Sequence, residues 1–250
     1  MLFYEVMKIR SLFIIFFLVC WSAAISQEES KPKPPRFALG VNFSPAIASR
    51  YLCVADNPSE NAQSFKEFLT DYNHPVFGYT AGLNFSWFAL DRLTLETGVW
   101  FAAKGFGVKM TQNSTLKAES TSDNKAKMNF LTGYLTVPLK LNFNIITRPL
   151  TVFVSAGISA DVLLYSKTKI SVVYESGEKK TLTSDGMNSG DRAVSMSYMG
   201  SIGIEYLFFK KLKLRFEPTY TMSILPLVYS DLKTYLWTLG GNVGIYYVLR

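Results

Sequence analysis

Pro75-Val76-Phe77-Gly78-Tyr79-Thr80-Ala81-Gly82-Leu83-Asn84-Phe85-Ser86-Trp87-Phe88 is the stretch on which the fold turns. Phe77, Tyr79, Ala81, Leu83, Phe85 and Trp87 alternate with Gly78, Thr80, Gly82, Asn84 and Ser86. A period of two puts the bulky apolar side chains on one face of a strand and the small or polar ones on the other. The alternation runs well beyond the usual soluble strand of about 5 to 6 residues. The next stretch repeats it, with Leu93, Leu95, Thr97, Val99, Phe101 and Ala103 opposed to Thr94, Glu96, Gly98, Trp100, Ala102 and Lys104.

Working outward, eight such stretches are found, at 36–47, 75–88, 93–107, 130–143, 151–165, 194–208, 212–222 and 235–249. Each supplies the roughly 9 to 11 tilted residues with which a strand crosses a bilayer. Their connections are ordered. Those at 48–74, 108–129, 166–193 and 223–234 are long, whereas those at 89–92, 144–150 and 209–211 are short. Strict long–short alternation is the pattern of an up-and-down transmembrane barrel whose termini share the short-turn side. The expected fold is therefore all-β, an eight-stranded antiparallel transmembrane β-barrel. A soluble sandwich has no reason to sort its loops in this way. After residue 25 no apolar run reaches the roughly 18 or more residues of a spanning helix.

The first residues read differently. Lys8 and Arg10 precede an apolar run at 12–21, and Ser22, Ala23, Ala24 and Ser26 follow. That is the order of a secretory signal peptide. Residues 1–26 are read as this leader, with Met7 an alternative start, 27–35 as a polar, proline-containing periplasmic tail, and 36–250 as the barrel. Cys20 follows Val19, which is bulkier than a lipid-attachment site favours. Cys53 alone remains after the leader, which excludes a disulfide framework.

A charge on the lipid face near the bilayer centre costs about 2 to 4 kcal/mol, so charged strand residues should point inward. Parity along the strands places Glu96, Lys104, Lys140, Asp161, Glu205, Lys213, Arg215 and Glu217 together on the inner face. Four are acidic and four basic. The expected lumen is neutral and filled, since eight strands leave room for side chains and little else. Tyr79, Trp87, Tyr206, Tyr235, Trp237 and Tyr247 fall outward near strand ends, where aromatic rings prefer the membrane interface.

The fourth stretch, Tyr134-Leu135-Thr136-Val137-Pro138-Leu139-Lys140-Leu141, resembles the Tyr-Leu-x-Ile/Val-Pro-Leu-x-Leu segment of the PorT-like outer-membrane barrels of Bacteroidota. A proline inside a strand makes the match informative. Phe43-Ser44-Pro45 with Ser49-Arg50, Gly78-Tyr79 with Gly82, Ala156-Gly157, and Gly200 and Gly203 with Glu205-Tyr206 are similar too. The resemblance covers roughly residues 36–249 and implies an outer-membrane barrel. One member is associated with a secretion system, but the matching residues build the wall and do not carry that role.

Catalytic chemistry finds little purchase. His74 is the single histidine of the chain and lies near Asp71, with no nucleophile at a fixed spacing. His74 and Cys53 lack the neighbours a metal site needs, so no cofactor or metal is expected. Across the four long connections basic and acidic residues nearly cancel, which argues against nucleic acid as a partner. In 48–74, Asn57-Pro58 is read as a helix start, with Phe65, Phe68, Leu69 and Tyr72 on one face over the barrel mouth. The expected partners are outer-membrane lipid, the barrel-assembly machinery and an envelope or extracellular protein met by the long loops. A rim enzyme centred on His74 and a narrow pore or secretion accessory are the alternatives.

Overall fold

The computed structural model describes residues 36–55, 58, 61–110, 125–147, 150–173, 179–186, 192–209, 211–227 and 231–249. The leader and tail expected at 1–35 lie outside them. Ten strands form one antiparallel sheet: β1 (Arg36–Val54), β2 (Asn73–His74), β3 (Val76–Phe88), β4 (Leu93–Met110), β5 (Lys125–Thr147), β6 (Leu150–Val173), β7 (Lys179–Asp185), β8 (Val194–Leu207), β9 (Leu212–Ser223) and β10 (Leu232–Leu249). Eight of them close a ring, β1–β3–β4–β5–β6–β8–β9–β10, and β10 pairs back onto β1 from Phe37↔Leu249 to Val54↔Leu232. Closure leaves no wall strand with a free edge along the barrel, so its backbone groups are satisfied within the wall. β2 pairs with β4, and β7 with β6, both at the long-loop end.

All eight expected stretches are wall strands. At the short-turn end they start or end within one residue of expectation, except that β5 continues to Thr147, and several run farther at the other end: β1 continues to Val54, β4 to Met110, β5 begins at Lys125 and β6 ends at Val173. Alternating apolar pattern stops where one face no longer meets lipid, whereas strand hydrogen bonding continues past that level. The long connections are shorter than the sequence implied for this reason, and part of 166–193 is the additional strand β7.

Pro138 sits inside β5 and is fully buried. It has no N–H for the ladder, and Thr97 Oγ1 donates to its carbonyl at 2.8 Å. Gly98, with no side chain, occupies the neighbouring strand position. Aromatic rings cover glycines across the wall in the same manner: Gly40 faces Tyr246, Gly82 faces Trp100 and Gly203 faces Phe153, each pair in direct register. Such pairs keep glycine-containing strands in register.

One helix is described, α1 (Ala62–Asp71), with Asn61 at its N-cap and no capping bond from that side chain. It begins later than the expected start at Pro58, and Asn57 lies outside the described residues. The rings of Phe68 and Tyr72 pack at a tilt of 50° with centroids 4.8 Å apart. Phe65 does not join them on a packed face and is 55% exposed. β1 is the strand against which the helix packs, and one strand covers only part of its apolar stripe.

Candidate functional site: the lumen and the long-loop rim

The sorting of side chains is the inverse of a soluble protein. Leu39, Val41, Phe43 and Ile47 of β1 point outward and are about half exposed, as are Leu135, Val137, Leu139 and Leu141 of β5, while Glu96 and Glu217 are 0% exposed. The structure places all eight charged residues of the sequence reading inside the wall, Lys213 partly and the rest fully buried.

They form two groups. In the larger, Arg215 donates through Nη1 to Glu96 and through Nη2 to Glu205, with Nε 2.9 Å from Glu205 Oε1. Lys213 reaches the other oxygen of Glu205 at 3.0 Å. Lys140 Nζ lies 2.6 Å from Glu217 and 3.4 Å from Glu96. The remaining carboxylate lone pairs are met by Ser86 and Asn142 on Glu96, and by Ser155, Ser201 and Asn242 on Glu217. Tyr246 accepts from Arg215 at 3.1 Å and from Asn84 at 3.0 Å, and Trp100 donates to Asn84 at 2.6 Å. Asn42 donates to Asn242 at 3.1 Å. Every one of the eight wall strands contributes to this network, which ties opposite sides of the barrel together. The charges balance, three carboxylates against Lys140, Lys213 and Arg215, and buried ions need that pairing.

The smaller group lies toward the long-loop end. Lys104 and Asp161 pair at 3.1 Å, and Thr136, Ser159 and Ser197 also donate to Asp161. Beyond it, Phe106, Val108, Tyr134, Leu163, Leu227 and Leu236 close into an apolar cluster, with Tyr72 and Phe130 against it. Arg50 lies over the Phe106 ring at 4.2 Å, and its Nε and Nη2 are buried without a hydrogen-bond partner. Tyr246, Trp100 and the asparagines were not singled out in the sequence. Their parity, shared with the charged residues, was the available signal.

His74 stands opposite Gly107 at the long-loop rim. Its pKa is held below the ordinary histidine value by partial burial and by the nearby Lys109 and Lys127 ammonium groups. The charged groups around it are thus cations, and no described ion pair joins it to Asp71. Among the described residues no set of three His, Cys, Asp or Glu side chains could hold a metal ion. Cys53 is a free thiol.

A family model described as "Outer membrane protein beta-barrel domain" matches residues 25–229. The chain belongs to this family. Solved barrels resemble it only distantly. Neisserial surface protein A is 11% identical over 83% of this chain and 97% of its own, with a TM-score of 0.38. The outer membrane protein OprG of Pseudomonas aeruginosa is 12% identical over 87% and 97%, with a TM-score of 0.37. The outer membrane protease OmpT of Escherichia coli is 7% identical over 90% and 99%, with a TM-score of 0.33. No curated protein is significantly similar to the chain.

As an outer membrane β-barrel, the molecule presents its apolar exterior to lipid. Trp87, Tyr206 and Tyr247 ring the short-turn end, and Tyr79, Tyr198, Tyr220 and Trp237 the other, all on the outer face. Along β3, β8 and β10 the two rings are separated by a stretch that spans roughly 20 to 25 Å once strand tilt is included, close to the usual apolar band of such barrels.

Proposed function

We propose that this outer-membrane barrel is a non-conducting anchor that presents its long-loop end, on the cell exterior, to another envelope or extracellular molecule. The observation that carries this reading is the lumen. An ion-pair network drawn from all eight wall strands fills one part of it, and an apolar cluster closes the mouth beyond. A barrel built to pass solutes needs a hydrated path, which eight strands rarely leave.

Export by the segment 1–26, a periplasmic tail at 27–35 and insertion by the assembly machinery complete this reading, along with a place among PorT-like barrels of Bacteroidota. The mass of the barrel recovered from an outer-membrane fraction tests the leader: loss of about the first 26 residues is expected, and an intact N-terminus in that fraction counts against it. Among the described residues His74 lies near lysines and is joined to no carboxylate orienter, which favours a non-enzymatic role. If His74→Ala abolished a lipid-modifying or proteolytic activity of the purified barrel, the rim-enzyme reading would take precedence. In planar bilayers the wild-type protein is expected to give no reproducible single-channel steps, and steady unitary conductance would overturn the sealed-lumen reading.

A further inference from the structure

Lysines gather on one face at the long-loop end. Outward parity on β4, β5 and β6 above the aromatic ring gives Lys109, Lys127, Lys167 and Lys169. Lys109 and Lys127 stand directly opposite each other across β4 and β5. Like charges in that position destabilise a sheet, so the arrangement is costly unless an anion lies over it. Lys127 is opposite Ser171, and Lys169 is opposite Asn129 one pair along, which sets Lys127 and Lys169 diagonally. In the same row as Lys169 come Asn129, Gly107 and His74. Asn129 Oδ1 is a buried acceptor without a partner, and a Cβ on Gly107 would come within 2.9 Å of it. Among the described residues of this raised sheet the carboxylate present is Asp185, in register with Lys167.

The face has a definite neighbour. Directly beneath it on the same outer surface are Leu164, at 51% exposure, and the stacked pair Phe101 and Tyr165. Lys167 Nζ lies 5.7 Å from the Tyr165 ring centroid, at the step from aromatic to cationic side chains. A surface that turns from apolar to aromatic to cationic along one strand is shaped for the tail, interface and headgroup of a lipid. Charge counted loop by loop hid this, because acidic residues in the same connections cancel the lysines in number.

We propose that Lys109, Lys127 and Lys169 form a lateral binding site for a phosphate-bearing lipid headgroup. Phosphate oxygens would lie between the three ammonium groups, and the acyl chains along the apolar and aromatic surface beneath them. A free phosphate could satisfy the lysines but makes no use of the apolar and aromatic surface beneath them. The inference rests on the proposed placement of the long-loop end at the cell exterior and does not depend on the sealed lumen.

His74 is the single histidine of the chain and stands beside Lys109 and Lys127, so in the untagged full-length protein its imidazole resonance reports on the site. Its titration is to be compared in nanodiscs of phosphatidylcholine alone, in the same discs with bisphosphorylated lipid A, and in phosphatidylcholine discs with millimolar inorganic phosphate. The wild-type pKa is expected to rise on the order of one unit with lipid A and little with inorganic phosphate. In Lys109→Gln/Lys127→Gln it should start higher in phosphatidylcholine and respond much less to lipid A. Equal responses of wild type and variant would show a bulk surface potential and overturn the site. A shift with inorganic phosphate but none with lipid A would overturn the lipid assignment. Lys169→Gln leaves the neighbours of His74 in place and supplies a second measurement. Lipid A molecules retained per barrel in native mass spectrometry should fall in this variant, and unchanged retention would count against the site.

Discussion

At the scale of single residues, the buried Arg215 and the half-buried Arg50 make opposite predictions. Arg215 is shared by Glu96, Glu205 and Tyr246, so Arg215→Met leaves three buried carboxylates against Lys140 and Lys213 alone, with one negative charge stranded. The loss should be about 3 to 5 kcal/mol, read from the denaturant midpoint of the heat-modifiable form in detergent micelles. Pairing it with Glu96→Gln should recover part of that loss, because one stranded charge disappears. Arg50 already buries two N–H groups without acceptors and keeps only its stacking on Phe106. Arg50→Met should therefore change stability by less than about 1 kcal/mol. Equal losses in the two variants would contradict this ranking. Gly40 and Gly200 form a second contrast. A Cβ at Gly40 falls 2.4 Å from the ring of Tyr246, which Asn84 and Arg215 hold in place, whereas at Gly200 the nearest atom is 4.0 Å away. Gly40→Ala should cost about 1 to 3 kcal/mol by overpacking, and Gly200→Ala should be neutral in the same assay.

At the scale of elements, β2 and β7 are additions to the rim and the eight wall strands are the barrel. Replacing β7 by a short Gly-Ser linker should leave heat-modifiability intact, because β8 pairs with β6 only from Val194↔Val162 to Tyr206↔Leu150, below the β7 pairing. Failure of that deletion to insert would mean β7 is needed for closure. β2 carries a pH dependence through His74. Its folded pKa lies below the unfolded value, so between the two the unfolded chain binds more protons and stability rises with pH. The contribution is complete above the unfolded value of about 6.5 and is lost as pH falls through the folded one. His74→Gln should flatten the stability slope on the acid side of neutrality, and an unchanged slope would assign it to other groups. These elements also show how far the sequence could be read. Wall strands were legible because lipid on one side and packed polar groups on the other force an alternation. β7, Lys179-Lys180-Thr181-Leu182-Thr183-Ser184-Asp185, meets lipid on neither face and carries no such pattern. The inner charges were legible because lipid excludes them from the other face. Trp100 and Tyr246 were harder to place, since aromatic rings are tolerated on both.

At the scale of the whole molecule, the proposed seal of the lumen has two parts that should fail independently. The ion-pair network occupies the part nearer the short turns, and the cluster of Phe106, Val108, Tyr134, Leu163, Leu227 and Leu236 closes the part nearer the long loops. An ion that passed the first would still have to shed its water among apolar side chains, which costs far more than thermal energy supplies. Replacing Glu96, Arg215 and Tyr246 together by alanine should therefore leave the barrel electrically silent in planar bilayers, provided the variant is recovered in its heat-modifiable form. Conductance should appear only when the cluster is opened too, for instance by adding Phe106→Ser and Leu236→Ser, because water then has polar partners along the length of the lumen. Steady unitary steps from the network variant alone would show that the apolar cluster is no seal. Silence from the combined variant would show that the wall itself is too narrow, and that the side chains filling it serve cohesion and not closure.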